Sequence, residues 1–413
     1  MAVLGMRGTG SWSSDERPEN FRDKILYLYP NSPAILTSIS GRLKSETTND
    51  PVFNIFEKGL PPQRAMIDFD TTDSASSSDL DDCTRIYLDT SSDSNPDYYF
   101  RDGQVAIVER TQEVLWITGS GKDASQSSKP YIDVNTRGGN ASSDDKANVE
   151  TGDYILIIGT RNAEGADTPR AITHDSTVIT NYTQIFRTPL HLTGTAKETY
   201  LRTGDIETEL KRMAAERHAI EQEWAWIFGK KNQSAVAAGG SGLYERTTGG
   251  FVERLGTTNV TDFSNVVTKA GWESFLEDVF LVPNSRDEKL CLCGNKALTT
   301  LNSMAAAYGH IGLVPTSEAF GMKLMRWETP YGSLMLKGHP LLSQNSGFND
   351  WGLVIDTSNM VYRPLKGRDT KYLKDRQGNG QDAIVHEFLT EAGLEIRHAS
   401  THGLFKNAAA FQA

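Results

Sequence analysis

The stretch TVITNYTQIFRTPLHLTG, residues 177–194, decides the reading, together with the helix pattern that follows it. Its β-branched and aromatic residues mark extended chain. From about Thr203 to Phe228 the spacing changes to that of a helix. Ile206, Leu210, Met213, Ile220, Trp224 and Ile227 recur at intervals of three, four or seven, and Arg217 takes the skipped position. Asp205 and Glu207 stand in the first turn, and Gly229, Lys230 and Lys231 close the end, as the helix dipole and a glycine C-cap prefer. At 1.5 Å per residue the helix spans roughly 38 Å. These six stripe residues are predicted to face a sheet of the same chain that includes a C-terminal strand through Ala392, Leu394 and Ile396. Arg217 is expected at the rim with its stem covered.

Working outward toward the N-terminus, residues 83–160 read as a compact all-β unit. RIYL, QVAIVE, EVLWIT, YIDVNT and DYILIIG are five short strand-like runs separated by turn chemistry, which predicts a small barrel or sandwich. TSSDSNPD and GSGKDASQSSKP are expected as its polar surface loops. A serine- and aspartate-rich linker, TTDSASSSDLDD, precedes the unit. Before that, DPVFNIFEKGLPPQRAMIDFD, residues 50–70, alternates at Phe53 and Ile55, breaks at Gly-Leu-Pro-Pro and resumes as extended chain. DERPENFRDKILYLYPNSPAILTSIS, residues 15–40, offers a short helix with Phe21, Ile25 and Leu28. Pro30 and Pro33 stop it. An arm exposing Tyr27, Tyr29, Ile35 and Leu36 must bury them on another copy. The competing reading is an ordinary first helix folded onto its own domain. Phe21, Tyr27, Tyr29, Phe53 and Phe56 are the candidate subunit-interface residues.

Toward the C-terminus, residues 234–258 read as a Gly-, Ser- and Thr-rich loop and residues 262–363 as mixed α/β. FSNVVTKAGWESFLEDVFLV is expected to be a helix with apolar Val266, Val267, Ala270, Phe275 and Val279. KLCLCG reads as a buried strand, and GNKALTTLNSMAAAYG as a helix with a Gly-Asn cap. MKLMRWETPYGSLMLKGHPLL reads as a hairpin and WGLVIDTSNMVYRPL as a further strand pair. GRDTKYLKDRQGNGQD, residues 367–382, is a polar loop.

The bulk numbers agree with a multi-domain globular chain. It has 413 residues, 38% hydrophobic, 36 glycines and a net charge of −11. That length implies two or three domains. No run of 18 apolar residues offers a membrane helix, and the N-terminus carries no apolar signal-peptide core. Three cysteines, Cys83, Cys291 and Cys293, form no disulfide framework. The acidic balance argues against a sequence-reading or DNA-wrapping protein, though not against one that lines a container holding DNA.

Catalytic motifs are looked for and not found. TGSGKDAS, residues 118–125, lacks the first phosphate-loop glycine, where Trp116 stands. It also has Asp123 for the Mg²⁺-holding hydroxyl, so a hairpin loop is the better reading. Cys291 and Cys293 have no second pair for zinc, and on a strand both thiols share one buried face. His386-Glu387 begins like a zincin motif, but Thr390 replaces the second histidine. His218 and Glu221 lie near each other on the long helix without a matching second site, so a solvated helix face is expected. No G-x-S-x-G occurs. Catalytic, cofactor-binding and metal-binding residues are therefore none, and no cofactor is expected.

NYTQIFR followed by LTGTA, after Glu164-Gly165, resembles a subgroup of tailed-bacteriophage major capsid proteins of the Hong Kong 97-type fold. KRMAAERHAIEQEWAWIFG sits where that family's spine helix lies. LTEAGLEIRHASTHGLFKN is similar to its C-terminal strand. The resemblance implies an α+β fold with an N-terminal arm (1–50), an E-loop (51–78 and 164–194), a peripheral domain with the spine helix (195–260 and 364–413) and an axial domain (261–363). It leaves 79–163 as a β-barrel-like domain inserted in the E-loop. It implies self-assembly into hexamers and pentamers forming an icosahedral or prolate head around double-stranded DNA, within a virion assembled in the bacterial cytoplasm. Implied partners are a portal protein and decoration proteins, without a membrane. Many members begin with a cleaved scaffolding segment of about a hundred residues. Here the arm begins near Asp15, so a separate scaffolding protein or none is expected. An encapsulin-type cargo shell and a phage tail or decoration protein are the alternatives of the same structural class. A β-rich hydrolase is the enzymatic one, and it lacks a clustered acid–base pair.

Overall fold

The structure, a computed structural model, describes residues 34–41, 44–59, 63–68, 85–91, 96–124, 128–135, 149–199, 204–235, 243–282, 286–307, 315–319, 322–344 and 347–412. Its chain divides into two compact units, Met1–Ile55 with Val178–Ala413, and Phe56–Thr177. The class is α+β, as the sequence predicts.

The larger unit is built on two sheets. One has seven strands in the order Val260–Asp262, Gly403–Lys406, Gly352–Ile355, Glu288–Cys293, Gly332–Gly338, Met322–Thr329 and Pro315–Ala319. Leu290–Cys293, in the strand Glu288–Cys293, is apolar on both faces because both are covered. Leu290 and Leu292 enter one core, with Trp226, Phe251 and Leu36. Cys291 and Cys293 enter the other, with Trp272, Phe275, Leu301 and Met304 from the helices Lys269–Phe280 and Asn295–Ala307. The two thiols thus share one buried face, as the sequence predicts.

The second sheet is organised by the 14-residue strand Ala383–Ile396. It pairs antiparallel with Gln184–Thr193 along one edge, and with Met360–Pro364 and Lys371–Leu373 along the other. Short parallel bridges from Ser45 to Tyr362 and from Thr48 to Leu365 add the N-terminal chain beside it. The long helix, Ile206–Phe228, lies over Gln184–Thr193 and Ala383–Ile396. Asp205 caps its start by accepting from the backbone N–H groups of Glu207 and Thr208, and Gly229 ends it. Gly229 must be glycine: a Cβ there would meet the Ala225 and Thr248 carbonyl oxygens at 2.4 and 2.5 Å.

The smaller unit contains six antiparallel strands in the order Arg64–Met66, Tyr154–Thr160, Gln104–Val108, Val114–Asp123, Lys129–Asn135 and Arg85–Tyr87. An antiparallel bridge between Ile67 and Leu88 joins the first strand to the last and closes the sheet into a barrel. Closure removes the free edges that would otherwise seek other strands. Its core holds Ile67, Ile86, Leu88, Ala106, Val108, Leu115, Ile132 and Ile155, all 0% exposed. All five runs read from the sequence are strands, but the barrel needs a sixth from the piece before the serine-rich linker.

Several expectations are corrected. GSGKD belongs to the strand Val114–Asp123 and not to a loop, because a register shift at Ile117–Gly119 lets the strand run on. FSNVV is not helical. Thr268 caps a helix that begins at Lys269, while Val266–Val267 pairs with Ala410–Phe411. WGLVIDTSNMVYRPL gives two strands that belong to different sheets. Residues 234–258 contain a ribbon, Asn232–Ala235 with Tyr244–Thr247, and a short helix, Phe251–Leu255.

Candidate functional site

Asn181, the first residue of NYTQIFR, is a staple between segments. Its Nδ2 donates to the Gly249 and Leu394 carbonyls at 3.1 and 2.9 Å, and its Oδ1 accepts from the Gly249 and Tyr182 N–H groups at 2.8 Å each. Every donor and acceptor of the amide side chain is used. Gln184 Oε1 accepts from Thr248 N at 3.2 Å, and Phe186 packs edge-to-face on Trp226 with ring centroids 5.7 Å apart. The motif is therefore a joint between sheet, spine helix and the loop after it.

Alternation along Ala383–Ile396 splits its side chains between two faces. One face carries His386, Thr390, Ala392, Leu394 and Ile396 toward the long helix. There His218 is buried, with Nδ1 2.9 Å from Thr188 Oγ1 and Nε2 2.8 Å from Thr390 Oγ1. Burial lowers the His218 pKa, opposed by the Glu221 carboxylate. The solvated face expected for His218 is thus a buried one.

The other face carries Glu387, Glu391 and Glu395, all buried. Glu387 meets Arg187 at 2.5 Å and Arg376 at 3.3 Å. Glu391 meets Arg368, and Glu395 meets Arg363 and Arg397. Glu46 adds a contact to Arg363 at 3.0 Å, tying the N-terminal chain to this ladder.

Glu223, on the long helix, is 0% exposed. Its carboxylate accepts from Leu36 N at 2.7 Å, Thr37 N at 2.5 Å and Thr37 Oγ1 at 2.8 Å, and lies 2.6 Å from the equally buried His339 Nε2. One side chain thus joins residues 36–37, the long helix and the seven-stranded sheet region. Lys289 is a second buried ion. Its ammonium donates to the Val279 and Thr401 carbonyls at 2.5 and 2.6 Å, capping the C-terminal end of helix Lys269–Phe280. Burial pulls its pKa down to about 8, opposed by the Asp356 carboxylate. Beside it His402 is completely buried. Its Nδ1 accepts from Asp356 N at 3.1 Å, which leaves Nε2–H to donate to the Arg397 carbonyl at 3.2 Å. Burial pulls His402 down to about 4.

The predicted stripe is placed differently from its expectation. Ile227 is buried, whereas Ile206, Leu210, Ile220 and Trp224 are only half-buried and Met213 is 53% exposed. The buried face is Ala214, His218, Gln222, Glu223, Trp226 and Ile227. Its polar members hid it from a hydrophobic count. Trp224 stacks instead on Phe228, with centroids 5.7 Å apart. The Arg217 side chain is 76% exposed beside Glu221 and is not covered.

The interface candidates separate as well. Phe21, Tyr27 and Tyr29 lie outside the described residues. Phe53 is 6% exposed and rests on Gly393 of its own chain, where a Cβ would meet its ring at 2.7 Å. Phe56 is 72% exposed. Ile35 and Leu36, expected to need another copy, are buried in the short helix Ile35–Ser40 of their own chain.

None of these ionisable groups forms an open catalytic arrangement. Among the described residues, no group of three or more His, Cys, Asp or Glu is placed to hold a metal ion, and no helix is long and apolar enough to cross a membrane. What the arrangement does is hold distant segments in one register.

Comparison with known proteins gives a family match. The family described as SU10 major capsid protein matches residues 5–409. A curated major capsid protein of Pseudomonas phage PaMx41 is 27% identical over 239 residues, 55% of this chain and 56% of that protein. The chain thus spans about half the length of the curated relative it matches. Among solved structures, the capsid of an empty GTA particle computed with C5 symmetry is similar over 97% of this chain and 98% of that one, at 12% identity and a TM-score of 0.43. A chain from Mycobacterium phage Cain is similar over 99% of both chains, at 9% identity and a TM-score of 0.41.

Proposed function

Because the chain belongs to the SU10 major capsid protein family, we propose that it is the subunit of a phage head that assembles from many copies into rings of five and six around double-stranded DNA. The family match over residues 5–409 carries this reading. The order of elements supports the Hong Kong 97-type fold within it: N-terminal chain, extended ribbon, spine helix, α/β sheet and returning strand. The role is structural and not catalytic, and the buried polar joints are suited to holding one subunit shape. Heterologous contacts that close on themselves give such rings. An interface of ordinary size or larger on each flank, at ~25 cal/mol per Å² of apolar burial, is ample after association costs.

The reading assigns a portal protein, a separate scaffolding protein and decoration proteins as partners, packaged DNA as contents, and the virion as location. The division into arm, E-loop, peripheral and axial domains is kept as part of this reading, with three adjustments. Residues 64–66 go with the barrel, and Gly403–Lys406 goes with the seven-stranded sheet of the axial region. Met360–Pro364 goes with the peripheral sheet through its pairing with Ala383–Ile396. Electron microscopy of the purified chain, alone and co-expressed with a candidate scaffolding protein, tests the proposal. Closed shells are expected. A chain that stays monomeric under both conditions, while folded by circular dichroism, counts against it.

A further inference from the structure

Residues 363–376, RPLKGRDTKYLKDR, carry six cations against two aspartates, a net +4 in a chain of net −11, so the remainder carries −15. The segment follows the strand Met360–Pro364 and includes the three-residue edge strand Lys371–Leu373. Its cations divide by type. The arginines pair with the glutamate ladder, Arg363 with Glu395, Arg368 with Glu391 and Arg376 with Glu387, although the Arg368 and Arg376 side chains stay 46% and 53% exposed. They fix the hairpin to its own sheet. Lys366, Lys371 and Lys374 are exposed. Among the described residues none of the three meets a carboxylate; Lys371 donates to the Gly367 carbonyl at 2.6 Å. A fourth exposed lysine, Lys211 of the long helix, lies 4.4 Å from the Tyr372 ring centre beside them. Asp369 accepts from the Tyr362 hydroxyl at 2.9 Å.

We propose that this lysine edge is an assembly contact that docks on an acidic surface of a second copy of the chain. The inference rests on the shell reading above. Copies of net −11 repel one another, and a shell packs many of them together. A basic edge on each copy, set against the −15 of its neighbour, turns part of that repulsion into attraction. It also makes the contact heterologous, as closed rings require. Lysines on a short edge strand oppose pairing by backbone hydrogen bonds, so the contact is made by side chains. The phosphate backbone of the contents is the other polyanion such an edge could meet. The lysines match the neighbour better because the acidic bulk of every copy is present in the shell before any DNA enters.

The test is the full-length variant Lys366→Glu/Lys371→Glu/Lys374→Glu, with the corresponding triple Lys→Arg variant beside it. Thermal melts by circular dichroism should match the wild type in both, since the arginine–glutamate ladder is untouched. Sedimentation and microscopy should show at least about a tenfold loss of assembled material for the Glu variant and full assembly for the Arg variant. The difference in assembly between the wild type and the Glu variant should shrink as salt rises from 0.1 to 1 M and the screening length falls from about 10 Å to about 3 Å. A folded Glu variant that assembles like the wild type overturns the proposal. If its particles form normally but retain less DNA, the edge faces the contents and the proposal is likewise wrong. A wild-type chain that forms no shells at all would instead sink the shell reading, so the two failures are distinguishable.

Discussion

Glu223→Ala tests whether one buried carboxylate holds the N-terminal chain in place. The wild-type group accepts three hydrogen bonds from residues 36 and 37 and meets His339 at 2.6 Å, with both side chains 0% exposed. Removing it takes the acceptor from two backbone N–H groups and from the buried His339 imidazole, while the Thr37 hydroxyl keeps the Ala219 carbonyl at 3.3 Å. Breaking a buried pair from one side costs roughly 3–5 kcal/mol. Each unsatisfied buried donor costs about 1–3 kcal/mol, but local relaxation readmits water, so the sum is not additive. A loss of about 3–5 kcal/mol in urea unfolding is therefore expected. Glu223→Gln keeps the shape and one acceptor oxygen but turns an NH₂ toward donors, and should fall between the two. The location of the damage matters as much as its size. Hydrogen exchange should accelerate first in Ile35–Ser40, since Leu36 and Ile39 lose the anchor that seats them in the core. If Glu223→Ala lowers stability by less than about 1 kcal/mol, or leaves exchange in residues 35–40 unchanged, the clamp is not what holds that segment.

Trp226→Ala should cost about 3–5 kcal/mol in urea unfolding, because the indole is 0% exposed against Phe186 and Tyr362, whereas half-buried Trp224→Ala should cost clearly less. His402, held near 4 when folded against about 6.5 unfolded, makes the unfolded chain the better proton binder between those values. Stability should thus fall as pH drops from about 6.5 to 4, by up to ~3 kcal/mol, and a His402→Gln chain should show a flatter urea-midpoint profile over that window. Excision of residues 79–163 removes the strand Tyr154–Thr160 that pairs with Arg64–Met66, so it should yield aggregates. Excision of the whole barrel from residue 60 to 162 should leave a soluble chain with a cooperative melt.

The sequence was most legible where apolar pattern and burial coincide. LCLC, residues 290–293, reads as a strand covered on both sides because every residue in it is apolar or small, and Leu394 and Ile396 alternate into the core as predicted. The barrel strands were equally readable, since β-branched runs and turns have local signatures. Arg64–Met66 was read as extended chain, but its membership of the barrel was not legible, because its place is fixed only by pairing with Tyr154–Thr160 across the chain. The spine helix shows a different limit. Its extent was plain, but its buried face carries His218, Gln222 and Glu223, which count as solvent-facing in any hydrophobic pattern. They are buried because partners from Thr188, Thr390, Leu36, Thr37 and His339 satisfy His218 and Glu223, and those partners lie up to 187 residues away. The carboxylate ladder Glu387, Glu391 and Glu395 was missed for the same reason.

Phe53 and Phe56 look alike in the sequence, two aromatics on one strand, Val52–Glu57, and both were candidates for contact between subunits. The structure gives them opposite roles. Phe53 is 6% exposed over Gly393, a position that has room for its ring only because no Cβ is present. Phe56 is 72% exposed, which leaves it available for the subunit contact proposed for it. Phe53→Ala should therefore lower folding stability by about 3–5 kcal/mol, the range for emptying a buried aromatic site, before any assembly takes place. Phe56→Ala should leave the monomer's urea midpoint within the ±0.5 kcal/mol typical of a surface change, while reducing the yield of assembled particles. Measuring both variants by unfolding and by sedimentation separates the two roles. Equal unfolding losses would mean that Phe56 is part of the subunit's own core. Unimpaired assembly by Phe56→Ala would remove it from the interface.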